Sequence, residues 1–242
     1  MGKPKHFSEL FILSSPYSGT TAMAKLLMTS RRTWSRSRSA EGQRLAEALP
    51  FVIEDRWSPR SVIDWAAFKE VLERGRPAGK VLLEKSHWIL MHADEVLEFW
   101  PDAFFVISIR HPIGVLASLL SRREANDEVL SGWQIRWSKH SKQQRANVER
   151  LADRSLVTTY SSFARNPGGL LDRLDGAFGP LGIDPEAKVQ LKKYDPAPVT
   201  DHDARQIAKL SREVRDRAEM LLRQPRLASE LAFWGFDASG PA

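Results

Sequence analysis

The stretch that most constrains this chain is residues 9–29, ELFILSSPYSGTTAMAKLLMT. Residues 10–13 form a short apolar run rich in β-formers. From Thr20 onward, Ala22, Met23, Leu26 and Leu27 recur at helical spacing. Between them lies a turn of small residues, Ser14-Ser15-Pro16-Tyr17-Ser18-Gly19. The order is strand, tight loop, helix. Such a junction aims loop N–H groups and the positive end of a helix at one point, which suits a phosphate or sulfate. An ordinary βα turn without a ligand would use the same residue types.

The rest of the chain repeats that alternation. Apolar spacing predicts a short helix over 42–49 ended by Pro50, and a helix over 62–74 with Val62, Ile63, Trp65, Phe68, Val71 and Leu72 on its inner face. A strand over 80–84 follows, then a helix from Trp88 to Trp100 stopped by Pro101. Residues 103–109 are the most hydrophobic strand and should be central, and Pro112 suits the first position of the next helix. A long polar helix over 126–152, a strand over 155–159 and helices over 170–178 and 203–222 complete the pattern, with 29–40 read as a polar loop. Alternation of this kind predicts an α/β fold: a parallel sheet flanked by helices on both faces, as a single domain over 1–242, with ligands at the carboxyl ends of the strands.

Composition narrows the chemistry. A chain of 242 residues that is 42% hydrophobic can bury a real core. No apolar run reaches membrane-spanning length, and a polar N-terminus leads straight into a strand, so a soluble, cytoplasmic protein without a membrane span is expected. Zero cysteines exclude disulfides and thiolate chemistry. A net charge of +6 favours anionic ligands, and a nucleotide with three anionic groups qualifies as well as a nucleic acid. The densest basic cluster, Arg31, Arg32, Arg36 and Arg38, reads first as a solvated loop. Its alternatives are a basic lip over a cofactor and a nucleic-acid arm, for which one Arg/Ser stretch without repeats argues little.

The strand ends carry the candidate chemistry. The first loop approaches the Walker A spacing, but Thr20-Thr21 stands where that motif needs Lys followed by Ser or Thr, which disfavours a P-loop kinase or NTPase. The second strand ends in Glu84-Lys85-Ser86-His87. A lysine there can neutralise a phosphate leaving group, and a neutral histidine can take a hydroxyl proton. A surface Lys85–Glu84 pair beside a histidine at the start of a helix would account for the same residues. The third strand ends in Ser108-Ile109-Arg110-His111-Pro112, with Ser118 eight residues beyond Arg110. An arginine leaving a buried strand and a serine two turns down the next helix can converge on one anion. His111 could add a donor or cap the helix, and the cap is the favoured reading.

Taken together, Pro16-Tyr17-Ser18-Gly19-Thr20-Thr21, the Lys85 segment, Arg110 with Ser118, and Tyr160 in Tyr160-Ser161-Ser162-Phe163 resemble, in order, the motifs of the sulfotransferases that use 3′-phosphoadenosine 5′-phosphosulfate (PAPS). The resemblance covers roughly residues 10–182 and is nearest to bacterial and Golgi-type members. It implies a P-loop NTPase-like sulfotransferase fold. It also implies that Ser18, Gly19, Thr20 and Thr21 hold the 5′-phosphosulfate, that Lys85 stabilises the leaving phosphate, and that Arg110 and Ser118 read the 3′-phosphate. Tyr160 would lie by the adenine. His87 and Glu41 stand as rival bases, Glu41 because it lies about where those members place a catalytic glutamate; pairing with Arg36 or Arg38 would explain it equally.

The chain departs from the family at Tyr17, where a basic residue is usual, and at His111 and Ser161-Ser162, where acids are usual. Trp234-Gly235-Phe236 resembles the closing segment of bacterial members. The C-terminal nucleotide motif of cytosolic members is absent, and Lys192-Lys193 takes no role. The expected reaction is in-line sulfuryl transfer from PAPS, leaving 3′-phosphoadenosine 5′-phosphate (PAP), to a hydroxyl or amine of a small-molecule or glycan acceptor. No metal and no nucleic acid are expected to take part. Trp34, Trp57 and Trp88, near loops and strand ends, are candidates for an acceptor pocket.

Overall fold

A computed structural model gives the fold, with residues 7–48, 50, 55–191, 195–238 and 240 described. Among these residues, five strands and ten α-helices follow in the order β1 (Glu9–Ser14), α1 (Thr20–Leu27), β2 (Thr33–Trp34), α2 (Trp65–Glu73), β3 (Val81–Glu84), α3 (Ala93–Phe99), β4 (Ala103–Ile109) and α4 (Pro112–Leu120). Then come α5 (Asp127–Arg150), β5 (Ser155–Thr159), α6 (Tyr160–Arg165), α7 (Pro167–Phe178), α8 (Asp203–Ile207), α9 (Arg212–Leu222) and α10 (Pro225–Trp234). All strand pairs are parallel, in the order β2-β3-β1-β4-β5. None of the described helices is long and apolar enough to cross a membrane.

The strands are apolar on both faces because both are covered. Leu10, Ile12, Val81, Leu83, Phe104 and Val106 pack against α1, α6 and α7. Phe11, Leu13, Leu82, Phe105 and Ile107 pack on the opposite face against α2 and α3. This is the two-residue alternation of a pleated strand. A third cluster joins α4, α5, α9 and α10. The chain therefore leaves β1 toward one face and β3 toward the other. Adjacent strands whose connections diverge open a crevice at their carboxyl ends. Helix α5 braces that edge: Gln144 Nε2 donates to Leu13 O (2.7 Å) and Ser108 O (3.2 Å), and Trp137 Nε1 to Arg110 O (3.1 Å).

Several expectations shift in detail. The polar loop over 29–40 contains β2, whose two residues are too few for a pattern to show. The helix expected over 42–49 is two 3₁₀ turns, Gly42–Arg44 and Ala46–Ala48, with Leu49 outside the described residues. The segment from Trp88 to Trp100 divides into a 3₁₀ turn, His87–Met91, and α3. The single helix over 203–222 is α8 and α9, because Ser211 starts a new helix by accepting from Val214 N–H (3.2 Å). Trp88 is core rather than pocket, packed on Trp65 and Phe68.

Candidate active site

The loop between β1 and α1 is shaped by two left-handed residues, Tyr17 (φ 67°) and Gly19 (φ 79°). Only glycine fits the second. A Cβ there would lie 2.3 Å from the Tyr160 ring, besides being strained by the positive φ. No side chain caps α1, so its first N–H groups face the crevice without a protein acceptor from a capping residue. Ser14 Oγ sits under this turn, 3.0 Å from Thr20 Oγ1 and 3.1 Å from His87 Nδ1. Ser18 is buried, its hydroxyl 3.5 Å from Ser15 Oγ.

The end of β3 supplies the second group. His87 Nδ1 lies 3.2 Å from Ser14 O. A proton on Nδ1 donated to that carbonyl leaves the Nε2 lone pair free. Burial, then the Lys85 charge, pulls the His87 pKa down to about 4, so the ring is neutral at pH 7.

Lys85 is fully buried and bonds Glu41 Oε1, and Glu41 also accepts from Arg44 Nε. The surface Lys85–Glu84 pairing is therefore corrected, as is the pairing of Glu41 with Arg36 or Arg38. Arg36 bonds Glu47 instead. Burial alone would raise the Glu41 pKa, but hydrogen bonding and charge from Lys85 prevail and lower it. Glu84 points elsewhere, as successive strand residues must. It accepts Gly42 N–H (2.9 and 3.1 Å) and Ser86 N–H (2.7 Å), and burial pushes its pKa up to about 7 against those bonds. It thereby clamps the turn that presents Glu41. A Cβ on Gly42 would lie 2.2 Å from Leu72 Cδ2 and 2.9 Å from Glu84 Oε2, so this clamp too requires glycine.

The loop, Lys85 and His87 all fall within a span that a known family's model matches. A sulfotransferase-family sequence model matches residues 9–179. The chain belongs to the sulfotransferase family. The sulfotransferase fold is shared with solved structures despite low identity. One is a sulfotransferase from Alicyclobacillus acidocaldarius (TM-score 0.59, 15% identity, 98% of each chain covered). Another, from Mycobacterium tuberculosis H37Rv, has a TM-score of 0.59 and 14% identity over 93% of this chain and 77% of that one. A third, from Mycobacterium avium, has a TM-score of 0.56 and 15% identity over 97% and 79%. A search of the curated proteins finds no match.

In this sulfotransferase the third motif is already engaged. Arg110 leaves β4 at 3% exposure and donates through Nε to Asp203 Oδ1 (2.9 Å), through Nη1 to Tyr17 O (2.8 Å) and through Nη2 to Asp203 Oδ1 and Gln206 Oε1 (3.0 Å). Its guanidinium stacks 4.1 Å from the Tyr160 ring centroid. The Tyr160 hydroxyl accepts His202 N–H (3.1 Å). Ser118 lies half-buried on α4, two turns beyond, and no hydrogen bond joins its side chain to Arg110. His111 caps α4 through Nδ1, accepting Ile113 N–H (3.2 Å), and Nε2–H donates to Asp237 O (2.6 Å). Thr21, in the first turn of α1, is half-buried. Of the basic cluster, Arg32 donates to Phe178 O (2.9 Å) and Pro180 O (2.7 Å), while Arg31 and Arg38 are exposed.

Asp203, Gln206 and Gly42 carried no local signal, since their roles arise only from residues 42 to 96 positions away. One further titratable group senses the charge of His87. His140 on α5 is buried and stacked on Trp57 (4.9 Å between centroids), with its pKa pulled to about 4 by burial, then by Lys139, His87 and Arg136.

Proposed function

We propose that this sulfotransferase moves the sulfuryl group of PAPS to a hydroxyl or amine of a small-molecule or glycan acceptor. The observation that carries the reading is the meeting, at the carboxyl edge of the sheet, of the uncapped α1 turn with His87 through Ser14, and of His87 with the charge of Lys85. The residues fit the donor. The bare α1 N-terminus is matched to an anion, and Gly19 lets the loop that leads into it lie directly against the Tyr160 ring. When bound, PAPS supplies an electrophilic sulfuryl group attached to a phosphate leaving group.

The chain's own residues do the rest by position and electrostatics. N–H groups of Gly19, Thr20 and Thr21, with the Ser18 and Thr20 hydroxyls, hold the 5′ end. Lys85 spends one N–H on Glu41 and keeps two for the oxygen on which charge builds. His87 holds Nε2 unprotonated and takes the proton of the attacking hydroxyl. Glu41, bonded to both Lys85 and Arg44, serves to orient the lysine, which favours His87 as the base. Arg110 and Ser118 take the 3′-phosphate, with Tyr160 beneath Arg110.

The test is calorimetric titration with PAP, run beside ADP and ATP plus Mg²⁺. Preferential binding of PAP supports the reading. Binding of ATP alone, or of no nucleotide, rejects it.

A further inference from the structure

The buried carboxylate facing Arg110 stands where the proposed reading needs a phosphate. Four of the five guanidinium N–H groups are already used: one on Nε, one on Nη1 and two on Nη2. Asp203 is 2% exposed and lies between Arg110 and α4. A Cβ built on Gly114 would come within 2.6 Å of Asp203 Oδ1 and 3.0 Å of Arg110 Nε. Gly114 precedes Ser118 by four residues, so the two share a face of α4. The carboxylate thus occupies the path from Arg110 toward Ser118. A carboxylate and a phosphate satisfy the same guanidinium fork, but a phosphate carries more charge and a third oxygen.

The segment that delivers Asp203 is lightly held. Between Val199 and Leu210, both buried, Asp203 is the one buried side chain; Arg205 and Lys209 are exposed, and Gln206 and Ile207 only half-buried. Apart from Ile207, which packs half-buried on the cluster of α4, α5, α9 and α10, its remaining ties are polar: Tyr160 hydroxyl to Thr200 O (3.4 Å), His202 N–H to that hydroxyl (3.1 Å), Ser161 Oγ to Asp203 Oδ2 (3.4 Å) and Arg165 to Asp201 (3.2 Å). Beyond Ile207, little apolar surface is exposed when such a strap opens, so its opening free energy lies toward the low end for the molecule.

We propose that Asp203 is an internal stand-in for the nucleotide's 3′-phosphate, and that residues 200–210 form a strap which releases Arg110 when a 3′-phosphorylated nucleotide binds. This rests on the PAPS reading. Asp203 then sets the affinity for the third anionic group: PAP must displace it, whereas ADP, with a 3′-hydroxyl, binds without doing so. The gate costs affinity and keeps the buried arginine paired while the site is empty.

The test is calorimetry of PAP and ADP on the wild type, Asp203→Asn, Asp203→Ala and Arg110→Ala, with hydrogen exchange followed over residues 200–210. Asp203→Asn keeps the shape and hydrogen bonding should Asp203→Ala fold poorly. The proposal expects either Asp203 variant to bind PAP at least tenfold more tightly while ADP changes less than about threefold. It also expects PAP, and not ADP, to speed exchange in the strap of the wild type. Unchanged or weaker PAP binding by Asp203→Asn, with Arg110→Ala still losing PAP selectively, overturns the strap and leaves the PAPS reading standing. Failure of the wild type and both Asp203 variants to bind PAP overturns the PAPS reading and the strap together.

Discussion

Replacing Lys85 by Met removes the cation from a pair whose members are both buried, at 0% and 3% exposure. Glu41 is left with Arg44, whose side chain is 67% exposed, and with Gln43 Nε2 at 3.3 Å. Stripping one partner from a buried ion pair costs about 3–5 kcal/mol, and the solvated Arg44 contact places Lys85→Met near the lower figure, at about 3 kcal/mol. In a chain of this size that is a loss of about 6–12 °C in Tm. Glu41→Gln should cost less, about 2 kcal/mol, because Lys85, its pKa already lowered by burial, can shed its proton. With both changes made, no charge is stranded, and the double variant should lie about 1–3 kcal/mol above the sum of the two. Urea denaturation of the four proteins at pH 7.5 reads each term by linear extrapolation. The Lys85→Met loss should shrink as pH falls. Without the lysine the native pKa of Glu41 rises above its unfolded value, so the native state binds the extra proton and regains stability in acid. Additivity within about 0.5 kcal/mol, or a pH-independent loss, would refute the pairing.

Three further outcomes follow from the same geometry. Gly19→Ala forces a Cβ into the Tyr160 ring at a positive φ, costing about 1–3 kcal/mol of stability and abolishing PAP binding by calorimetry; retained affinity would remove the loop from the site. Glu84, with a folded pKa of about 7 against 4.5 unfolded, binds a proton more readily in the native state, so its stabilisation is complete below pH 4.5 and is lost as pH rises through 7. Glu84→Gln should flatten that slope, a span of about 3 kcal/mol in urea melts at pH 4.5 and 8. His140, with a pKa near 4, works the other way: its neutral form stabilises the fold above pH 6.5 and this is lost as pH falls toward 4. His140→Gln should therefore resist acid better than the wild type, and equal acid midpoints would contradict its burial as a neutral ring.

What the residues revealed before folding and what they concealed divide along physical lines. Residues 103–109 and 155–159 read correctly as strands because apolar β-formers bounded by turn residues have few alternatives. The placement of Pro112 at the first turn of α4 and the capping role of His111 were legible for the same local reason. Helix α6 escaped notice, six residues being too few to show a period, whereas α10 could have been found from Pro225 in its first turn and Gly235 at its left-handed end. The Lys85–Glu84 pairing was avoidable, since neighbours on a strand point to opposite faces. Asp203 was not legible at all: an aspartate 93 residues from its arginine in a polar segment carries no sign of its burial.

The most direct measurement is turnover of purified protein with ³⁵S-labelled PAPS against a panel of phenol, alcohol, sugar and amine acceptors, comparing the wild type with Lys85→Met and His87→Ala. The account predicts labelled product and stoichiometric PAP from the wild type, with transfer reduced at least 100-fold in either variant. Full activity in both variants, or no consumption of PAPS in any arm alongside Mg²⁺-dependent ATP turnover, would contradict it.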